Sequence, residues 1–191
     1  MRFDGGRVSL DLVATRAGRQ PVRERIGTTD RLAEWLYGAH LVPRGTPLAL
    51  DETALPRFTA LRDVVQRLVT AELTGRPPAA ADLAALNEAA RAAPPAPSVV
   101  PGVDGTLTRA LATAPSCEAL LAAVARDAVD LFTDPVARSQ LRRCEGENCT
   151  LVYLDTSRGR RRRWCSSEVC GNRERVARHR RRATTLTTHR L

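Results

Sequence analysis

From Thr29 onward the apolar residues recur at helical spacing. Leu32, Trp35 and Leu36 share one face of a helix opened by Thr29 or Asp30. Phe58, Leu61, Val65 and Leu68 do the same on a longer helix from about Glu52 to Leu73, with Pro56 tolerated near its start. A third helix is predicted from Ala81 to Ala92, stopped by Pro94-Pro95-Ala96-Pro97, and a fourth from Ser116 to Phe132 presents Leu120, Val124, Ala128 and Leu131. Two stretches have period two instead. Val8, Leu10 and Leu12 alternate with polar neighbours and predict an early strand. Ser98 to Val103 and Thr106 to Leu111 flank Pro101-Gly102 and Asp104-Gly105 and predict a small hairpin. No internal repeat is visible.

Composition narrows this picture. Apolar residues make up 43% of the 191 positions and aromatics 4%, so the core is built mainly from Leu, Val and Ala. A chain of this length allows one domain with an appendage, or two modest ones. The longest apolar run, Ala119 to Ala125, is seven residues, far short of the roughly 20 that a membrane helix needs. The opening Met1-Arg2-Phe3-Asp4 lacks the basic and apolar regions of a secretory signal, which predicts a cytoplasmic protein. All 30 basic residues are Arg, a bias expected of a G+C-rich bacterial genome. Their placement is the more informative feature. Residues 144–191 hold 12 Arg and 5 acids, net +7, while residues 1–143 hold 18 Arg and 16 acids, net +2. A nearly neutral body therefore carries a basic tail suited to a polyanion.

The cysteines divide the chain at the same place. Cys144, Cys149, Cys165 and Cys170 form C-x4-C-x15-C-x4-C. In a reducing cytosol such a cluster reads as a metal site rather than a disulfide framework. Two close pairs on facing loops give zinc a closed tetrahedron of four thiolates, with no open position for catalysis. A redox-switching thiol cluster is the alternative, and the two are compatible because oxidation would release the metal. His179 and His189 are surplus to a complete thiolate set. Cys117, at the start of an apolar helix, reads as a small buried side chain.

Between the Cys pairs, Leu151 to Leu154 is β-prone, Asp155 to Gly159 is turn-rich, and Arg160 to Trp164 is expected to return as a second strand. Alternation would put Arg160, Arg162 and Trp164 on one face and Arg161 and Arg163 on the other. Trp164 is expected to pack over the metal site. After the second pair a helix is predicted from Glu168 to about Arg182, capped by Ser166 or Ser167. Val169, Val176 and Ala183 would form its apolar seam, and Arg175, Arg178 and Arg182, with Arg181 beside them, its basic stripe. So small an apolar content makes metal the source of folding free energy, of order 10 kcal/mol. Zinc with four thiolates lowers the module from +7 to about +5, still strongly basic.

Cys144 and Cys149, then Tyr153-Leu154-Asp155-Thr156-Ser157-Arg158, Arg163-Trp164-Cys165 and Cys170-Gly171-Asn172-Arg173 before a basic helix, resemble the CGNR zinc-finger family. Leu10-Asp11-Leu12-Val13-Ala14-Thr15, Asp30-Arg31-Leu32 and Trp35-Leu36 resemble the ABATE domain that precedes the finger in that family. Ala14 stands where the family often has Asn, and Glu174-Arg175 where Lys commonly follows the CGNR box. The resemblance implies a zinc-binding bacterial regulator that binds DNA, with stress response as its setting. Gly171 would suit a close backbone approach near the metal, while Asn172 and Arg173 sit where a helix begins and would order the knuckle or touch phosphate.

The expected fold is mostly α, of the α+β class: a helical body over residues 1–138 with a small hairpin, then a zinc-stabilised ββα module over 139–191. The expected nucleic-acid contacts are Arg158, Arg160, Arg161, Arg162, Arg163, Arg173, Arg175, Arg178, Arg181 and Arg182, with Trp164, Gly171 and Asn172 supporting the finger. No catalytic constellation is visible: there is no phosphate-binding Gly loop, and Asp11, Asp51 and Asp63 lack evident partners. A non-enzymatic regulator follows, its body sensing a small-molecule effector or pairing subunits in a homodimer. RNA is the alternative partner for such an Arg cluster. A redox-responsive zinc protein docking a protein partner is the third reading.

Overall fold

The computed structural model describes residues 1–178 and residue 180. The body consists of helices α1 (Val8–Val13), α2 (Thr29–Gly38), α3 (Ala54–Thr74), α4 (Ala80–Ala89), α5 (Cys117–Thr133) and α6 (Pro135–Gln140). Three antiparallel pairs join them: β1 (Arg16–Ala17) with β2 (Arg23–Glu24), β3 (Pro97–Pro101) with β4 (Leu107–Leu111), and β5 (Leu141–Arg143) with β6 (Val152–Leu154). No described helix is long and apolar enough to cross a membrane.

Local chemistry sets the helix ends. Thr28 caps α2 by accepting from the Arg31 amide at 3.3 Å, and Ser116 caps α5 by accepting from the Ala119 amide at 3.2 Å. Asp51, unpartnered in the sequence, accepts from the Thr53 and Ala54 amides at 2.9 and 3.0 Å and opens α3. Gly75 closes that helix at φ 64°, a left-handed conformation that suits glycine. Within the body, α1 packs on α3 and α5, and α4 lies against the same two helices. Leu10, Leu12, Trp35, Phe58, Val65, Leu120 and Leu131 are buried at the centre. Trp35 meets Phe58 edge to face with centroids 6.2 Å apart.

The alternation at residues 8–12 does not make a strand; it becomes α1. The polar positions of that pattern do not face solvent. Ser9 is fully buried, its amide and hydroxyl donating to Asp127 at 2.9 and 2.5 Å, and Asp11 accepts from the Gly5 amide at 2.9 Å. With both polar groups satisfied by the fold, all of Ser9 to Val13 is buried and period two loses its meaning.

The expected hairpin between the Cys pairs is also corrected. The module keeps a ββα order, but β6 pairs with the preceding β5, in register Leu141↔Leu154, Arg142↔Tyr153 and Arg143↔Val152. Residues 160–163 do not form a strand. Instead the Asp155 carboxylate gathers the segment, accepting from the Ser157 amide at 3.0 Å and the Arg162 amide at 2.9 Å. Arg160 there takes φ 47°, which breaks extended backbone.

The β5–β6 ladder faces two ways. Leu141, Val152 and Leu154 belong to the body's core, whereas Leu151 and Tyr153 pack with the four cysteines. Strand alternation thus sends one set of side chains into the helices and the other toward the sulfurs. Further contacts fasten the two parts. Asn148 and Thr150 accept from the amides of Arg19 and Gly18 at 2.8 and 3.1 Å. Asn148 also donates to the Gln20 carbonyl at 3.2 Å.

Candidate metal centre

Residues 144–149 form the first knuckle. The Cys144 amide donates to the Leu151 carbonyl at 2.9 Å, continuing the ladder, and the Cys149 amide turns back to the Gly146 carbonyl at 3.0 Å. A Cβ at Gly146 would lie 3.3 Å from that of Cys149 and 3.5 Å from the Cys170 sulfur, so a larger residue would press directly on the ligands. Gly171 has more room, with 3.6 Å to its nearest neighbours. The close approach expected there falls at Gly146 instead.

The second pair follows the Asp155 loop. A π-helical turn, Ser167–Gly171, carries Cys170 and continues as an α-helix over 172–178. Ser166 caps it, accepting from the Val169 amide at 3.2 Å. The predicted helix is therefore present through the described residues. Its apolar seam is not buried: Val169 and Val176 are exposed. Ala183, His179, Arg181 and Arg182 lie outside the described residues.

All four sulfurs are buried and lie within 4.8 Å of one another. Cys149 and Cys165 are 3.8 Å apart, and Cys165 and Cys170 are 3.5 Å apart. A zinc–sulfur bond of about 2.3 Å gives a tetrahedron whose edges are about 3.8 Å, so the spacing fits the ion. The electrostatics fit as well. Hydrogen bonds from Cys149 and Cys165 hold the Cys144 thiol far below its ordinary range. The same bond to Cys144 pushes Cys149 up to about 11, and bonds to Cys144 and Cys149 push Cys165 higher still. Cys144, Cys149 and Cys165 compete for ionisation at this separation, and a bound dication would relieve that competition. The Cys165 amide donates to Cys144 Sγ at 3.3 Å, adding a fixed partial positive charge. The cysteines are thus positioned to bind one zinc ion in a closed, structural site.

Trp164 is half-buried and packs on the sulfur cluster, as the sequence predicts. Arg162 is turned inward. Its guanidinium donates to the Trp164 carbonyl at 2.8 Å and to the Cys165 carbonyl, and lies 4.5 Å from the centroid of the Tyr153 ring. These contacts tie the loop to the end that carries Cys165. Arg158, Arg160, Arg161 and Arg163 are exposed on the same loop, and Asn172, Arg173, Arg175 and Arg178 on the helix. Arg163 is partnered with Glu145 at 2.6 Å, and its guanidinium lies 5.2 Å from the centroid of the Trp164 ring. Cys117 is buried at the start of α5, where burial pushes its thiol up.

Sequence reasoning missed Arg2. Its Nη2 donates to Cys165 Sγ at 3.2 Å, across 163 positions of chain. Ala14, singled out in the sequence only as a departure from the family's Asn, is buried in the same cluster as the four cysteines. Neither residue type carries a local signal for metal proximity.

The geometry defines a four-cysteine zinc module fused through a shared strand ladder to a helical body. Residues 140–183 match the CGNR zinc finger, and residues 6–135 match ABATE, the family described as "Putative stress-induced transcription regulator". The second match spans more than half of the chain, which belongs to the ABATE family. A comparison with curated proteins finds no match.

Proposed function

We propose that this chain is a DNA-binding transcription regulator, in which residues 139–191 grip the duplex and residues 1–138 sense a small molecule or pair subunits. The observation that carries the reading is the arginine surface beside the metal centre. Arg158, Arg160 and Arg161 project from a loop fixed by Asp155, and Arg173, Arg175 and Arg178 from the helix that begins at Cys170. Two basic surfaces built on one rigid support can meet phosphates at a fixed separation, which a disordered basic tail cannot do. For sensing, a groove of about 550 Å³ lies between α3, α4 and α5, lined by Leu61, Val64, Ala85, Ala89 and Leu121, with the Arg57–Glu118 pair at its rim. For pairing, the β3–β4 hairpin exposes Val99, Val103 and Leu107. No catalytic role is assigned.

Duplex binding measured over a series of salt concentrations tests the reading. Replacing Arg173, Arg175 and Arg178 together with Ala should weaken binding and flatten the salt slope by up to about 0.9 for each phosphate no longer neutralised, with zinc content unchanged. Unchanged affinity and slope would contradict the helix as the binding surface. Stronger competition by double-stranded RNA of the same sequence would move the reading to RNA.

A further inference from the structure

The first five residues reach from the body onto the zinc centre. Gly5 fixes their course: its carbonyl accepts from the Leu154 amide at 3.0 Å and its own amide donates to Asp11 Oδ1 at 2.9 Å. A Cβ at Gly5 would come within 2.8 Å of the Leu10 side chain, so the segment can lie flat on α1 only because the residue is glycine. From this anchor the chain runs back past β6 and delivers Arg2 to the second cysteine pair. Arg2 Nη2 lies 3.2 Å from Cys165 Sγ and Nη1 lies 3.9 Å from Cys170 Sγ. Its Nε donates to Asp4 at 2.8 Å, which fixes the plane of the guanidinium, and the side chain is only 18% exposed.

The charge balance gives this contact a purpose. A dication held by four thiolates carries two net negative charges, and these sulfurs are buried, where uncompensated charge is costly. Amide donors such as that of Cys165 relieve part of it. The guanidinium of Arg162 is turned to backbone carbonyls rather than sulfur. Arg2 instead places a full positive charge against two ligands, on a side chain that cannot lose its proton.

We infer that Arg2 is a positioning residue of the zinc centre: by compensating the charge on Cys165 and Cys170 it retains the ion, and it makes that retention depend on the body's N-terminal segment. Retention and docking are then one event. The arm stays down while the thiolates stay charged, and the thiolates hold metal better while the arm stays down.

The experiment uses full-length, zinc-loaded protein and follows zinc transfer to a chromogenic chelator at neutral pH. Arg2→Met keeps the length and apolar stem but removes the charge, and it should accelerate release by about 10- to 100-fold, the range typical of weakened support around metal ligands. Arg2→Lys should lie much nearer wild type. Hydrogen exchange supplies the second readout: in Arg2→Met the amides of Gly5 and Leu154 should lose protection while α3 and α5 keep theirs. Release within twofold of wild type for Arg2→Met would overturn the inference. Equal acceleration by Met and Lys would overturn it too, because shape rather than charge would then matter.

Discussion

The body and the finger are held together by opposite means. The body buries a continuous apolar core, with Leu10, Leu12, Trp35, Phe58, Val65 and Leu120 all essentially inaccessible. The finger buries four cysteines with Leu151 and Tyr153 against Ala14 of the body, and half-buries Trp164. One cohesive force is hydrophobic and non-directional; the other is coordination, which demands four sulfurs at set distances. Yet the two meet in a single ladder, whose Leu141, Val152 and Leu154 serve the body while Leu151 and Tyr153 serve the metal. The finger is thus a lid of the core on one face and a metal site on the other.

The largest effect should come from breaking the metal side. Cys165→Ser is expected to abolish stoichiometric zinc, removing metal-linked folding energy of order 10 kcal/mol, and to strip residues 144–178 of exchange protection. Because Leu141, Val152 and Leu154 lie in the shared core, the body's thermal midpoint should also fall, by about 2–4 °C for each kcal/mol of destabilisation. Metal analysis and thermal denaturation check both. An unchanged midpoint would show that the ladder transmits nothing.

The apolar side can be broken alone. Leu154→Ala should cost about 2–5 kcal/mol in urea denaturation while leaving zinc content near one per chain, since the side chain points away from the sulfurs. Loss of zinc in that variant would erase the distinction between the two faces.

The smallest expected effect concerns Asp11, which anchors Gly5. Burial, opposed by the Gly5 amide and reinforced by Asp4 and Asp127, pushes its carboxyl up to about 7. The folded state therefore keeps a proton that the unfolded chain gives up near pH 4, and the Asp11 contribution weakens stability as pH rises from about 4 to 7. Asp11→Asn should flatten the difference between urea midpoints at pH 5 and pH 7.5; an unaltered difference would place the titration elsewhere.

Much of this arrangement is legible in the sequence, for identifiable reasons. The helices carrying Trp35, Phe58 and Leu120 announce themselves because their apolar faces meet one core. The cysteine spacing is equally legible, since coordination restricts which patterns work. What misleads is polarity satisfied at a distance. Ser9 and Asp11 resemble the wet face of a strand until Asp127 and Gly5 supply their partners. Arg160 to Trp164 resembles a return strand until Asp155 gathers the loop. Arg2 is illegible for the same reason: its partners are 163 and 168 positions away.

In the proposed function, zinc fixes an arginine surface that recognises a polyanion. Fluorescence anisotropy of a labelled DNA duplex, titrated with native protein, with zinc-stripped protein, and with stripped protein given back one equivalent of zinc, tests it most directly. Binding should fall sharply on stripping and return on stoichiometric zinc. Equal binding by the native and stripped forms would contradict the claim.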